Sequence, residues 1–205
     1  MLRKLSRALR IVKMHRELRS IITNYFFLCE NRDQTFWGSI SEEDEKGIIE
    51  LTKKAGTLPG PIVEIGALFG FTTQLIATYK PIEKKLIAVE NFSWNPFYIS
   101  PTDHRIMTQR ILRYAMQYCN TTIFDGSSEK FYDTYKGEKP SMVFIDAEHS
   151  YERVMEDIDW AIKLGIPMIA GHDYCELHPE VVRAVDEVFQ NKIKVIGSVW
   201  CHDAL

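Results

Sequence analysis

One stretch of this sequence reads Val63-Glu64-Ile65-Gly66-Ala67-Leu68-Phe69-Gly70-Phe71-Thr72-Thr73. Its first residues are apolar apart from one acid, which is typical of a strand buried on both faces. The two glycines allow the backbone to turn sharply and to approach a ligand closely. A helix that starts after Gly70 has free N–H groups at its first turn. The stretch therefore predicts a strand, a turn and a helix, with a ligand at the turn.

The rest of the chain after Pro61 repeats this alternation. Short apolar runs predict strands at Ile62–Ile65, Leu86–Glu90, Thr122–Asp125, Met142–Asp146 and Met168–Ala170. Longer amphipathic runs predict helices at Phe71–Tyr79, Pro101–Tyr118, Ser128–Tyr135, Tyr151–Lys163 and Pro179–Gln190. Because strand and helix alternate, the predicted fold class is α/β: a Rossmann-like, doubly wound, mostly parallel sheet with helices on both faces. Residues 194–205 predict one strand or a short hairpin around Gly197-Ser198.

The N-terminal part is expected to be a helical extension, residues 1–56, ahead of a core domain of residues 57–205. Apolar and basic positions recur at helical spacing in residues 1–24. This pattern fits a surface helix, a homodimer contact, a lid over the site or a weak contact with a membrane surface. A second helix is predicted over Glu42–Ala55, with Ser41 and Asp44 as its capping box.

Composition excludes several classes of protein. The 205 residues fit one domain, and 45% hydrophobic with 26% charged residues is ordinary for a globular chain. A net charge of -3 argues against a nucleic-acid binder. The four cysteines have no CxxC spacing, so a zinc site of that type is not expected. No apolar run reaches the ~18 residues of a transmembrane segment. The basic N-terminus is no signal peptide, so we expect a cytoplasmic protein.

Polar residues end the second and third predicted strands, at the edge where ligands bind in such sheets. Glu90 ends the second strand, and a carboxylate there can accept hydrogen bonds from both hydroxyls of a ribose. Ser127 and Ser128 follow the third strand. They can cap the next helix, or they can lie beside an adenine ring. The spacing of the glycine turn and Glu90 favours a nucleoside ligand.

Ionisable residues cluster after the fourth and fifth predicted strands. Asp146, Glu148 and His149 follow the fourth strand, and His172-Asp173 follows the fifth. Because these two strands are expected to be neighbours, Asp146 should meet His172 and Asp173. Two carboxylates and an imidazole predict a divalent-metal site. The alternative is a solvated acidic rim beside a histidine that the core satisfies.

Three segments resemble motifs of class I S-adenosylmethionine-dependent methyltransferases. Glu64–Thr72 resembles the first motif, E-[IL]-G-x-x-x-G-x-[ST], of the catechol-O-methyltransferase-like branch. Phe144–Glu152 resembles the FIDGDHSYE segment of small bacterial methyltransferases. Gly171–Tyr174 resembles their GHDY and the DDY of macrocin-type sugar O-methyltransferases. The resemblance covers about Pro61 to Phe189.

The resemblance implies an enzyme that binds S-adenosylmethionine and methylates a small-molecule acceptor, at a hydroxyl or at a nitrogen. It implies that cofactor binding falls to Glu64, Gly66, Ala67, Gly70, Thr72, Glu90, Asn91, Ser127, Ser128 and Asp146. Asp146 and Asp173 would be catalytic and, with His172, would hold Mg2+ or another divalent cation. Mg2+ prefers oxygen ligands, so His172 weakens the magnesium interpretation. The general base is Glu148, as in macrocin-type enzymes, or His149, where catechol-type enzymes have a lysine.

Two other interpretations remain open at this stage. A nicotinamide-dependent dehydrogenase also needs a glycine turn and an acid about 20 residues on, but it needs G-x-G-x-x-G and this chain has only Gly66 and Gly70. A non-catalytic domain that binds a partner through its basic N-terminal helix is the second. If the chain is an enzyme, the acceptor is expected against the aromatic segment Asn91–Ser100.

Overall fold

The computed structural model describes residues 40–94, 100–190 and 192–203. In chain order the elements are α1 (Glu42–Gly56), β1 (Ile62–Ile65), α2 (Phe71–Tyr79), β2 (Leu86–Glu90), α3 (Pro101–Ile111), α4 (Arg113–Tyr118), β3 (Thr121–Asp125), α5 (Ser128–Thr134), β4 (Met142–Ile145), α6 (Tyr151–Lys163), β5 (Met168–Gly171), α7 (Pro179–Phe189), β6 (Lys194–Ile196) and β7 (Val199–Asp203). The strands β1 to β5 and the helices between them lie within about one residue of their predicted bounds, with one exception given below.

The strands form a single seven-stranded sheet in the order β3-β2-β1-β4-β5-β7-β6. The first five pair in parallel, whereas β7 runs antiparallel to β5 and to β6. The predicted mostly parallel, doubly wound sheet is confirmed. The chain order reverses at β1, which lies between β2 and β4. Ligands of such sheets bind where the order reverses, outside the carboxyl ends of the strands. The fold thus places the β1–α2 turn and the segment after β4 at one crevice.

Helices cover both faces of the sheet because alternate strand residues point to opposite sides. Val63 and Ile65 of β1 pack with α5, α6 and α7, while Ile62 packs with α1, α2 and α4. Helix α1 is therefore one wall of the core, through Ile48 and Leu51. The predicted boundary between an extension and a core at residue 57 stays a prediction. The basic segment 1–24, with its four interpretations, lies outside the described residues.

The C-terminal strands form a hairpin, which is one of the two predicted alternatives. Gly197, with φ of 63°, and Ser198 make its turn. The turn lies on the start of α1, where Oδ1 of Asp44 accepts hydrogen bonds from Ser198 N at 2.6 Å and Ser198 Oγ at 3.0 Å. Asp44 also completes the predicted capping box with Ser41. This contact ties the first described helix to the carboxyl edge of the sheet.

The prediction of one helix over Pro101–Tyr118 is wrong. The chain forms two helices that are separated at Leu112, whose φ and ψ are -84° and 2°. The side chain of Leu112 is fully buried. It packs on Gly70, where a Cβ atom would lie 2.6 Å from Leu112 Cγ. Packing of this side chain on the glycine turn overrides the helical periodicity of the segment.

The described part of the chain contains neither a membrane-spanning helix nor a disulfide. None of its helices combines the length and the apolarity that crossing a bilayer requires. Its cysteines, Cys119, Cys175 and Cys201, form no disulfide.

Candidate functional site

The glycine turn is shaped by contact with the neighbouring strand. Gly66 has φ of 90°, a value that side-chain-bearing residues rarely adopt. A Cβ atom on Gly66 would lie 2.1 Å from the carbonyl oxygen of Asp146, which follows β4. Gly66 therefore lets the ends of β1 and β4 touch through their backbones. The sequence predicted a close approach at this glycine, and in the structure the group that approaches is the protein's own backbone.

The carboxylate of Glu90 holds the turn in place. Its Oε2 accepts hydrogen bonds from Ala67 N at 3.1 Å and Leu68 N at 2.7 Å, and its Oε1 accepts one from Phe92 N at 2.7 Å. An ionised carboxylate offers about four acceptor positions. Three of them are in use, so the remaining capacity for a ribose is small. Glu90 thus fixes the backbone of the turn through hydrogen bonds, a role that the sequence did not reveal.

Two residues of α3 that the sequence did not indicate contact the carbonyl oxygen of Leu68 in the turn. Leu68 has φ of 48°, which is costly for a residue with a side chain. Its carbonyl oxygen lies 2.9 Å from Nε2 of His104 and accepts a hydrogen bond from Thr108 Oγ1 at 2.8 Å. Both residues come from α3, some 40 positions away, and no local motif indicates them. Their contacts, with those of Glu90, keep Leu68 in this conformation.

Glu64 is a buried acid beside the turn. Its Oε2 accepts a hydrogen bond from the hydroxyl of Thr73, and its Oε1 has no hydrogen-bond partner among the described residues. Burial raises the pKa of Glu64 to about 8, against the opposing effect of the Thr73 hydroxyl. A buried oxygen without a partner is unusual in a native structure, and it makes Glu64 a candidate for a contact that a ligand completes.

The predicted residues at β2 and β3 make local contacts. Ser127 Oγ accepts a hydrogen bond from Lys130 N and so caps α5, which Ser128 begins. Oδ1 of Asn91 accepts hydrogen bonds from the backbone and hydroxyl of Ser93. Capping is therefore one role of Ser127, and the predicted contact with an adenine stays a prediction. The other two predicted residues, Ala67 and Thr72, are buried in the turn and the first turn of α2.

The structure brings together the ionisable residues that follow β4 and β5. Nε2 of His149 lies 2.8 Å from Oδ2 of Asp173. Nδ1 of His172 lies 3.3 Å from Oδ1 of Asp173 and 3.7 Å from Oδ1 of Asp146. Burial opposes ionisation of Asp173, but the hydrogen bonds with His149 and His172 outweigh it and hold the pKa of Asp173 far below its usual range. This carboxylate is thus a fixed negative charge.

His172 lies deep in the structure among three carboxylates. Only 3% of its side chain is exposed. Its Nε2 lies 2.9 Å from Ser198 Oγ and 3.5 Å from Oδ2 of Asp44, two residues that the sequence analysis missed. Burial lowers the pKa of His172, but the hydrogen bonds with Asp146 and Asp173 raise it to about 11. The neighbouring carboxylates therefore favour the protonated form of this imidazole.

The chemistry of this donor set does not fit Mg2+. The polar atoms of Asp146, His172 and Asp173 are near enough to share an ion. Mg2+, however, requires oxygen ligands and retains several waters, which a buried imidazole does not permit. Both ring nitrogens of His172 also face protein partners already, which are Ser198 and Asp44 on one side and Asp146 and Asp173 on the other.

Comparison with known proteins identifies the family. A methyltransferase domain family matches residues 63–174, which include the glycine turn, Glu90 and the residues that follow β4 and β5. The chain belongs to this family. The predicted resemblance is thereby confirmed, and the dehydrogenase interpretation is not favoured.

Solved structures share the fold of this methyltransferase. An O-methyltransferase from Bacillus cereus, in complex with SAH, is 16% identical with a TM-score of 0.61, over 80% of this chain and 82% of that one. The O-methyltransferase TomG from Streptomyces achromogenes, in complex with SAM, is 16% identical with a TM-score of 0.57, over 79% of each chain. At this identity the likeness shows the fold alone. No curated protein sequence matches the chain.

The two candidates for a general base of the methyltransferase differ in their surroundings. Glu148 is 68% exposed and lies 3.9 Å from the guanidinium of Arg153. His149 is 40% exposed and contacts Asp173. The hydrogen bond with Asp173 raises the pKa of His149 above its usual value, against burial. A base that a half-buried carboxylate orients is the arrangement found in catalytic dyads, and it favours His149.

The predicted acceptor segment Asn91–Ser100 is described only in part, since residues 95–99 lie outside the described residues. Phe92 is buried and its ring meets that of His104 edge-on, so it packs beneath the loop. Trp94 is 56% exposed. A separate cavity of about 580 Å³ lies at the opposite, amino edge of the sheet, beside Gly60 and Lys85. It is far from the family's motifs and has no part in this site.

Proposed function

We propose that this methyltransferase moves the methyl group of S-adenosylmethionine to a hydroxyl of a small molecule, in the manner of the catechol-type and macrocin-type enzymes. One observation carries the proposal. The glycine turn, which Glu90 holds through hydrogen bonds, lies with the His149–Asp173 pair at the crevice where the strand order reverses. The two solved relatives that bind SAH or SAM provide the analogy for the cofactor.

The residues around the turn fit this cofactor. Oε1 of Glu64 has no partner among the described residues, and the ammonium of the methionine moiety would supply a donor once this acid is ionised. Glu90 retains one acceptor position for a ribose hydroxyl, and Asn91 follows it. The other proposed cofactor contacts are Gly66, Ala67, Gly70, Thr72, Ser127, Ser128 and Asp146. S-adenosylmethionine supplies a methyl group on a sulfonium, which is open to in-line attack.

His149 would act as the general base. A hydroxyl is a poor nucleophile until it loses its proton, and an imidazole is suited to take it near neutral pH. Asp173 is the positioning residue, because its Oδ2 holds Nε2 of His149 at 2.8 Å. Glu148 is the alternative base. No step is assigned to a metal at Asp146, His172 and Asp173, since that set does not fit Mg2+.

Cofactor binding tests the proposal directly. Calorimetry should show that the wild-type protein binds S-adenosylhomocysteine, and Glu90→Gln should weaken this binding by at least about tenfold. The amide presents N–H groups to the turn's own N–H groups, and each lost charge-assisted hydrogen bond is worth about 1.5–3 kcal/mol.

The matched control is Glu152→Gln, the same change at an exposed position of α6, which should leave the affinity unaltered. If the wild-type protein gives no heat with S-adenosylhomocysteine, the proposed function is wrong.

The pH dependence of kcat/KM tests the base. A protonated imidazole cannot accept a proton, and Asp173 raises the pKa of His149. We therefore expect kcat/KM to rise with pH along a limb whose midpoint lies above the ordinary histidine value of about 6.5. Initial rates across the neutral and alkaline range measure this limb. A midpoint well below that value would exclude His149 as the base.

A further inference from the structure

A second group of donors surrounds Asp173 on its exposed side. Oδ1 of Asp173 lies 3.5 Å from Nε2 of His178, and its Oδ2 lies 2.8 Å from Nε2 of His149. The two imidazole rings meet edge-on, with their centroids 4.3 Å apart. One polar atom from each residue lies within 4.8 Å of those of the other two. The group contains His178, which no motif in the sequence indicated.

These separations are close to those of ligands around a single small ion. Zinc binds nitrogen and carboxylate oxygen at about 2.0–2.2 Å in a tetrahedral arrangement, which places its ligands roughly 3.4 Å apart. The 3.5 Å separation joins His178 to Oδ1 of Asp173 and is near this value, whereas the 2.8 Å separation joins His149 to the other oxygen, Oδ2. Binding of one ion therefore needs a small opening of His149 from Asp173 and a small turn of the carboxylate. Two imidazoles and one carboxylate are ligands for zinc, iron or nickel rather than for Mg2+.

The backbone holds the group in place before any ion binds. Asp173 has φ of 61°, and its carbonyl oxygen accepts a hydrogen bond from Cys175 N at 2.8 Å. His178 N donates to the carbonyl oxygen of Cys175 at 3.0 Å, and His178 O accepts from the first turn of α7. The side chain of His178 makes no capping hydrogen bond for α7. It contacts Asp173 and His149, so an ion shared by the three residues would break no capping bond.

Accessibility separates this group from the buried set at His172. The side chains of His149 and His178 are 40% and 31% exposed, whereas that of His172 is 3% exposed. Both ring nitrogens of His172 already face protein partners: Ser198 and Asp44 on one side, Asp146 and Asp173 on the other. His172 contacts Asp173 on the side that faces the protein interior and orients its carboxylate, as partners of metal ligands do.

We propose that His149, Asp173 and His178 bind one divalent ion of the zinc class, with the fourth position left to water. The ion bonds to Nε2 of His149, the nitrogen that Asp173 holds in the proposed function, and so replaces the hydrogen bond that orients this base. An occupied site therefore lacks the His149–Asp173 pair on which proton transfer depends, and this consequence rests on the proposed function. The ion would inhibit methyl transfer.

Binding of the metal alone tests the site, without cofactor or acceptor. Chelator-treated full-length protein is titrated with ZnCl2 by calorimetry, and MgCl2 is added as a competitor. The wild-type chain should bind one Zn2+ that excess Mg2+ does not displace, and His178→Gln should weaken binding by at least about tenfold. The absorption spectrum of the Co2+ complex should lack a thiolate band, which would otherwise indicate Cys175.

The matched control is His202→Gln. His202 is also a partly exposed histidine, but it lies at the other edge of the sheet, opposite Ile169. It should retain the wild-type affinity for Zn2+, and thermal melts without metal should show that both variants are folded at the temperature of the titration. Equal Zn2+ affinity in the wild type and in His178→Gln overturns the site.

A second measurement concerns the inhibition. ZnCl2 should inhibit methyl transfer by the wild type at a lower concentration than it inhibits His178→Gln, and equal inhibition overturns the proposed consequence. Because the calorimetric titration needs neither cofactor nor acceptor, a failure of the metal site and a failure of the methyltransferase assignment give different results.

Discussion

Asp173→Asn is expected to lower kcat by about 10²- to 10⁴-fold, which is the range of a lost general base. The asparagine keeps the shape of the side chain but removes the charge that holds Nε2 of His149 at 2.8 Å. The imidazole then loses its fixed orientation and the stabilisation of its protonated form. Asparagine is also the right replacement for the backbone, because Asp173 has φ of 61° and asparagine tolerates this region.

The measurement separates chemistry from binding. Single-turnover rates should fall, while the affinity for S-adenosylhomocysteine stays within about threefold, because Asp173 makes no contact with the glycine turn. Asp159→Asn, the same change at an exposed position of α6, should retain the wild-type rate. A rate for Asp173→Asn within about threefold of the wild type would remove the His149–Asp173 pair from the mechanism.

Gly66→Ala is expected to lower the free energy of unfolding by at least about 3 kcal/mol, or to prevent folding. The new Cβ atom would lie 2.1 Å from the carbonyl oxygen of Asp146 and 2.6 Å from its carbonyl carbon. Both are backbone atoms at the junction of β1 and β4, so no side chain can move to relieve the clash. The strand ends would have to separate at the crevice itself.

The control for this substitution is Gly165→Ala. Gly165 also has a left-handed conformation, with φ of 63°, but a Cβ atom there would meet nothing within 4 Å. Its cost should be only the conformational one, about 1–2 kcal/mol. Urea denaturation of both variants gives the comparison. Equal losses of stability would mean that φ alone, and not contact between the strand ends, explains the glycine at position 66.

The elements of the sheet could be predicted because their signal is local. The residues of β1 alternate between two buried faces. The two glycines that follow it are typical of a sharp turn from a strand into a helix. The helix over residues 101–118 was mispredicted for the opposite reason. Its interruption at Leu112 comes from packing on Gly70, which is 42 residues away in the sequence. Periodicity within a segment carries no information about such a partner.

Some residues of the candidate site could likewise be predicted from local motifs, and others could not. The motifs placed Asp146, His149 and Asp173 at strand ends, and parallel strands bring their carboxyl ends to one edge, so their meeting followed from topology. The choice between Glu148 and His149 did not, because it depends on which side chain faces Asp173 across two loops. No motif indicated His178, and Asp44 was predicted only as part of the capping box of α1, not as a neighbour of His172.

The sequence by itself determined the sheet, the glycine turn and the family, since each depends on residues near one another along the chain. Only the tertiary structure decided what the acids and histidines do. Asp44 and Ser198 are 154 residues apart and both reach His172, while His172 and His178 contact the same carboxylate. The charge state and the partners of a buried group are set by whatever packs around it, and those neighbours come from every part of the chain.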